Sequence, residues 1–234
     1  MSKSVPKILI FDFDGVLADT LGDMLGFARE VCAQMGYPCQ PSREDLNVLD
    51  QMSFETYARQ LKIPEGQIPD FTNRMFNLFT SRQQPPDIFP GLKQVVLQLA
   101  RQARIGIVTG TTRRLVHKFL DHHGLAREIE IIIAVEEPGT RSEKIQTAAG
   151  RLGPFGSQVF VIGDAVSDIN AARLAGAKSI AVTWGHQSQE KLALASPDYL
   201  VHSPEELLLV LSRTQDLSSE RDATSPHENK TTQL

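Results

Sequence analysis

Two carboxylates separated by one residue, Asp12 and Asp14, close a short apolar run that begins at Lys7, and Gly15 follows them directly. In such a pair one carboxylate can attack an electrophile while the other moves a proton, and the glycine lets the chain turn sharply where they are presented. A second pair stands in Gly163-Asp164-Ala165-Val166-Ser167-Asp168, again after an apolar run. Carboxylate oxygens are the donors a hard cation such as Mg²⁺ prefers. Thr109 and Gly110 offer a hydroxyl and a backbone N–H at the start of a helical stretch, which suits a phosphate. Lys144, opening a later helical stretch, adds a compact positive charge. Each feature alone has an ordinary explanation as a helix cap, a capped turn or a solvated lysine. Their weight lies in what brings them together.

The elements that must do so are short and apolar. Lys7 to Phe13, Arg104 to Val108 and Val159 to Ile162 each lead into a Gly- or Asp-containing turn and then a helical pattern. Ile129 to Ala134 and Lys178 to Val182 alternate with helices in the same way. Continuous apolar strands of this kind argue a parallel sheet covered on both faces, so the fold class is α/β, a doubly wound parallel sheet. Ligands of such sheets bind beyond the carboxyl ends of the strands, where all the residues named above fall. Between Thr20 and Phe89 the strand-like runs vanish. Helical segments appear instead at about Leu21 to Met35, Arg43 to Leu49, Ser53 to Leu61 and Asp70 to Arg82. The organisation expected is a core of residues 1–19 and 90–211, an inserted all-helical domain at 20–89, and a polar tail at 212–234 whose composition argues disorder. Ser203-Pro204-Glu205-Glu206 reads as a capping box that starts a last helix.

Taken in order, Asp-x-Asp-Gly, Thr-Gly, Lys and Gly-Asp-x-x-x-Asp, each at a strand end, resemble the four motifs of the haloacid-dehalogenase-like hydrolases. Asp14 to Thr20, Phe89-Pro90-Gly91, Asp168 to Arg173 and Val182-Thr183-Trp184-Gly185 are similar to the phosphoglycolate-phosphatase-like branch. The resemblance implies a Rossmann-like core with a helical cap. It makes Asp12 the nucleophile and a metal ligand, and Asp14 the acid/base, which also offers its backbone carbonyl to the metal. Thr109, Gly110 and Lys144 become phosphate binders, Asp164 a metal ligand, and Asp168 a ligand through water or a partner of the ligands. The implied reaction is Mg²⁺-dependent hydrolysis of a small phosphate monoester through an aspartyl-phosphate, with phosphoglycolate or a sugar phosphate as first candidates. A sugar-phosphate mutase would keep all four motifs and is the alternative. A non-catalytic scaffold should have a broken motif, and none is broken. Dehalogenases and phosphonatases are disfavoured by the presence of Asp14, and Lys62 is the only lysine between Thr20 and Phe89.

Two departures from the family pattern stand out. Many relatives follow the third-motif lysine with proline, whereas here Glu143-Lys144-Ile145 is preceded by Arg141, a rival for the phosphate; the helix continuing through Ala149 favours Lys144. Asn47 to Ser53 also stands where many relatives carry a glycine-containing specificity loop, which leaves the substrate open. The histidines show no metal-ligand spacing. Bulk properties narrow the partners. A net charge of -4 provides no basic footprint for nucleic acid or an anionic membrane, and no apolar stretch is long enough to span one. The expected partner is a small phosphorylated metabolite, and the expected state a cytoplasmic monomer or homodimer. Cys32 and Cys39 lack a pairing framework, so they read as small buried hydrophobes in a reducing compartment.

Overall fold

Lys7–Phe11 forms the central strand β1, every residue of it buried, because its alternate side chains serve two different cores. Leu9 and Phe11 belong to one apolar cluster and Ile8 and Ile10 to another. The same alternation runs along β2 (Arg104–Val108) and β4 (Gln158–Gly163): Ile105, Ile107, Phe160 and Ile162 face the first cluster, Val108 and Val161 the second. A strand buried on both sides has to be covered by helices on both sides. The first cluster is closed by α5 (Leu92–Leu99), α6 (Arg113–His123) and a final helix at 204–212. The second is closed by α7 (Arg141–Leu152) and α8 (Val166–Ala175). Each large side chain so buried contributes roughly 1.5–3 kcal/mol.

The structure is a computed structural model and describes residues 6–212. Its sheet has six parallel strands in the order β3-β2-β1-β4-β5-β6, with β3 at Ile131–Ile133, β5 at Lys178–Val182 and β6 at Tyr199–Val201. The α/β doubly wound class is therefore correct. β3 is shorter than the apolar run suggested, and β6 carries no strand-like run long enough to be read from sequence. The segment reading as disordered tail lies outside the described residues from 213 onward. Ser203 Oγ does accept from the Glu206 N–H at 3.3 Å, as the capping box requires. Among the described residues no helix is long and apolar enough to cross a membrane.

Between β1 and β2 the chain is helical: α1 (Leu21–Gln34), α2 (Arg43–Asn47), α3 (Phe54–Gln60), a 3-10 turn, and α4 (Ile68–Ser81). These helices bury a third cluster of their own, built on Val31, Leu46, Tyr57, Phe71 and Met75. One expectation fails here. Cys32 and Cys39 are joined in a disulfide. Seven positions along a continuous helix would separate two Cα atoms by roughly 10 Å. Helix α1 instead ends at Gln34, and Gly36, in the left-handed region at φ 77°, reverses the chain. The two Cα atoms then lie 6.0 Å apart, within bridging reach. Spacing counted along the chain missed the turn, and with it goes the ground for expecting a reducing compartment.

Candidate active site

Three neighbouring strands deliver the chemistry. Asp12 and Asp14 leave β1, Thr109 leaves β2 on one side, and Asp164 leaves β4 on the other. This is the switch point of the doubly wound sheet, where successive crossovers diverge and leave a crevice. Thr109, Gly110, Asp12, Asp14, Asp164 and Asp168 all line one cavity there, of about 360 Å³.

The loops are held tightly. Asp14 Oδ2 accepts a 2.6 Å hydrogen bond from the Thr111 hydroxyl, and Thr109 Oγ1 accepts from the Thr111 N–H at 2.9 Å. Asp168 Oδ2 accepts from the backbone N–H groups of Asp164 and Ala165 at 3.1 and 3.2 Å, so it ties the start of α8 back to the loop, the half of a capping box that does not need a side-chain oxygen on Ala165. Its other oxygen, Oδ1, faces the site and lies 2.7 Å from Arg141. Asp168 therefore fills both the capping role and the site role. Gly15 shows why the first motif ends in glycine. Its φ is +77°, and a Cβ would stand 2.1 Å from Asp164 Oδ2 and 2.3 Å from His186 Nδ1. Backbone from β1 thus lies directly against side chains from β4 and from the loop after β5.

Asp12, Asp164 and Asp168 each offer an oxygen within 4.8 Å of the others, and the latter two are 2% exposed. A compact set of hard oxygen donors fits a divalent cation of the Mg²⁺ class. The Asp14 carboxylate is not part of this set. Burial, the dominant cause in each case, raises the pKa values of Asp12, Asp14 and Asp168. Arg141 opposes the rise at Asp12 and Asp168, and the Thr111 hydrogen bond opposes it at Asp14.

The two rival cations separate clearly. Arg141 Nη2 lies 2.8 Å from Asp12 Oδ1 and 2.7 Å from Asp168 Oδ1, and it lines the cavity. Burial disfavours its charge, but Asp12, Asp168 and Asp164 outweigh that and raise its pKa. Lys144 does not line the cavity; its Nζ donates to the Ala134 carbonyl at 2.9 Å, and burial followed by the nearby Arg141 lowers its pKa. The sequence preference for Lys144 thus meets the opposite placement. Residue 141 opens α7 beside Thr140, whose side chain caps the helix, and from there the guanidinium reaches the carboxylates.

Sequence reasoning also passed over Thr111 and His186. His186 is 2% exposed, and both its backbone N–H, at 2.6 Å, and its Nδ1, at 2.7 Å, meet Asp164 Oδ2. Burial disfavours the imidazolium, yet Asp164, together with Asp14 and Asp12, outweighs this and raises its pKa. The signal was available: His186 follows Gly185 just past the end of β5, where the strand-end rule directs attention. Asn47 to Ser53 divides its work. Asn47 Oδ1 accepts from the Ser188 N–H at 2.9 Å and Asp50 pairs with Lys191 at 2.6 Å, while Met52 and Ser53 line the cavity. Arg43 adds bonds to the carbonyls of Gly185 and His186, so the helical insert is tied to the loop that holds Asp164. Arg113 pairs with Glu137 and Arg114 donates to the Thr80 carbonyl; neither lines the cavity.

A doubly wound sheet with carboxylates converging at its switch point, roofed by a helical insertion, defines a class of α/β hydrolase. The chain belongs to the haloacid dehalogenase-like hydrolases, matching that family over residues 9–182. Phosphoglycolate phosphatase of Synechococcus elongatus is 28% identical over 208 residues, which cover 88% of this chain and 98% of that one. N-acetylmuramic acid 6-phosphate phosphatase of Pseudomonas aeruginosa is 27% identical over 225 residues, 91% and 98% of the two chains. A haloacid dehalogenase-like hydrolase from Streptococcus pneumoniae has the same fold, with a TM-score of 0.73 at 21% identity over 89% of this chain and 99% of that one. Within its family the chain falls in the phosphoglycolate-phosphatase-like branch and is a phosphoric monoester hydrolase.

Proposed function

We propose that the protein is a Mg²⁺-dependent phosphatase of a small phosphate monoester, with Asp12 as nucleophile and Asp14 as acid and base. The observation that carries this reading is the convergence of Asp12, Asp164 and Asp168 within 4.8 Å beside Asp14 and the Thr109-Gly110 turn in one cavity. Asp12, Asp164 and Asp168 would hold the cation, which when bound supplies charge neutralisation and favours the ionised form of its carboxylates. Thr109 and the Gly110 N–H receive the phosphoryl oxygens. Arg141 takes the role of binding the transferring group in place of Lys144, supported by its position in the cavity beside Asp12, where its charge opposes the effect of burial on that carboxylate; its planar fork can meet two oxygens at once. Asp12 attacks phosphorus and the P–O bond to the leaving group breaks. The proton of Asp14 passes to the departing alkoxide. Asp14, now a carboxylate, then takes a proton from water that attacks the aspartyl-phosphate, so inorganic phosphate leaves and both residues return to their starting forms. Thr111 fixes which way the Asp14 carboxyl points throughout. Relatives named as phosphatases over nearly their whole length support water as the acceptor rather than a second sugar hydroxyl.

The division between the two aspartates is tested with p-nitrophenyl phosphate, whose phenolate leaves without a proton. In rapid mixing, Asp14→Asn should release one equivalent of nitrophenol quickly and then turn over about 100-fold more slowly than wild type, as a lost general base predicts. Loss of the burst with metal binding intact would assign the proton to another residue. The choice of cation is tested by paired truncations. Removing Arg141 leaves buried carboxylates without their partner, so Arg141→Ala should lower kcat/KM about 10³-fold, whereas Lys144→Ala should stay within about threefold of wild type. The reverse order of effects would restore Lys144 to the phosphate.

A further inference from the structure

Residues 185–188 follow β5 and are a place where the core meets the insert. Gly185 lies flat against the candidate cation ligand Asp164: a Cβ there would stand 2.3 Å from Asp164 Oδ2 and 2.4 Å from the Gly15 carbonyl oxygen. His186 and Gln187 come next and are 2% and 1% exposed. Buried polar groups specify one arrangement only when their partners are all in place. Here the partners come from both sides. On the core side the His186 N–H, at 2.6 Å, and Nδ1, at 2.7 Å, meet Asp164 Oδ2. Both contacts fall on one oxygen, which leaves Oδ1 for a cation. On the insert side the Arg43 guanidinium donates to three successive carbonyls, those of Gly185 at 2.7 Å, His186 at 3.0 Å and Gln187 at 3.3 Å. His186 Nε2 also lies 3.4 Å from the hydroxyl of Thr20, the residue just before α1.

Resting on the Mg²⁺-phosphatase reading, we propose that Arg43 is a positioning residue for the cation ligand Asp164, although it neither lines the cavity nor touches a carboxylate of the site. The route is one peptide plane. The Gly185 carbonyl that Arg43 holds and the His186 N–H that holds Asp164 belong to the same rigid trans unit and point to opposite sides of the chain. A rotation that frees the carbonyl from Arg43 therefore turns the N–H away from Asp164. The guanidinium fork, bound to the next two carbonyls as well, opposes that rotation and keeps the His186 ring where Nδ1 meets the same oxygen. Partners of metal ligands typically change metal affinity 10- to 100-fold when they are removed. The affinity for the cation then depends on whether the insert is docked, and by linkage the bound cation favours the docked insert. Asp50 and Lys191 fasten the insert at the same edge at 2.6 Å without touching residues 185–187, so that pair anchors without positioning.

The test reads Mg²⁺ binding by the full chain in two ways: by calorimetry without substrate, and by the Mg²⁺ concentration for half-maximal hydrolysis of p-nitrophenyl phosphate. Arg43→Met keeps the apolar stem and loses the donors; it should weaken Mg²⁺ about tenfold in both, with kcat at saturating Mg²⁺ within about threefold of wild type. Arg43→Lys, with a single donor group, should weaken it about threefold, and it carries the test should Arg43→Met fail to fold in a circular-dichroism melt. Asp50→Asn should stay within about twofold of wild type. In an Asp164→Ala background, where there is no carboxylate left to position, Arg43→Met should change Mg²⁺ affinity less than about twofold. Unchanged Mg²⁺ binding in both Arg43 variants, an equal loss in Asp50→Asn, or an Arg43 effect that persists in Asp164→Ala would overturn the proposal. Wild-type hydrolysis that needs no Mg²⁺ would remove the cation reading itself and this inference with it. Wild-type dependence on Mg²⁺ that the Arg43 variants leave unaltered would remove this inference alone.

Discussion

Asp12→Asn is expected to lower turnover by roughly 10⁴-fold or more while leaving the fold intact. The amide has the shape of the carboxylate but carries no negative charge and is a far weaker nucleophile toward phosphorus, and no other lining side chain stands in the same place at the end of β1. Stability should move little, and the sign can be reasoned. Burial raises the pKa of Asp12, so its ionised form is disfavoured in the folded metal-free protein relative to the unfolded chain. Such a group costs stability as pH rises above its unfolded value, and a neutral isostere removes that cost. Against this, Arg141 loses one of its two carboxylate partners. The two effects oppose, so the thermal midpoint in metal-free buffer should lie within a few degrees of wild type. Phosphate release followed beside a circular-dichroism melt checks both halves. A folded variant that turns over at the wild-type rate would remove Asp12 from its role.

Removal of divalent metal should have an effect of similar size. Asp12, Asp14, Asp164 and Asp168 crowd one end of the cavity, and Arg141 with His186 leaves no positive charge to spare for an arriving phosphate dianion. Unlike charges held a few ångströms apart in a buried site interact far more strongly than in water, and like charges repel as strongly. Chelation should therefore bring hydrolysis below detection, and Mg²⁺ should restore it. Full activity in chelator would sink the reading. Two further measurements locate the ion. Mg²⁺ should raise the melting temperature by mass action, since a preformed oxygen cluster exists only in the folded chain. Asp164→Asn should raise the Mg²⁺ concentration for half-maximal activity at least tenfold. If Asp164→Asn leaves that concentration unchanged, the cation is held elsewhere.

The ties between Arg43, Asn47 and Gln187 bear on how the insert works. Gln187 Nε2 donates to the carbonyls of Leu46 and Leu49, and its Oε1 accepts from the Val166 N–H at the start of α8. One side chain thus spans the roof of the cavity and the helix that Asp168 caps. The opposite edge is tied as well: Arg114 and Lys118 on α6 donate to the carbonyls of Thr80 and Gln83, and His123 Nε2 lies 2.9 Å from the Pro86 carbonyl.

Much of this was legible in the chain alone. The strands, their order of chemical motifs and the helical insertion are local properties, set by alternating apolar residues, by turn residues such as Gly15 and by caps such as Ser203. Local rules also placed Asp12, Asp14, Thr109, Asp164 and Asp168 at strand ends, and parallel strand order does the rest, because it puts all carboxyl ends on one side. What the tertiary structure decided is of another kind. Arg141 and Lys144 lie within one helical turn, and only the docking of α7 against the sheet turns the first toward the carboxylates and the second toward Ala134. Cys32 meets Cys39 through a reversal at Gly36 that spacing does not reveal. His186 reaches Asp164 across 22 residues, and the apolar roof of the cavity joins side chains from four separate helices. Periodicity reports which way a side chain faces within its own element. Which partner waits there depends on how the elements pack, and that is a property of distance through space rather than along the chain.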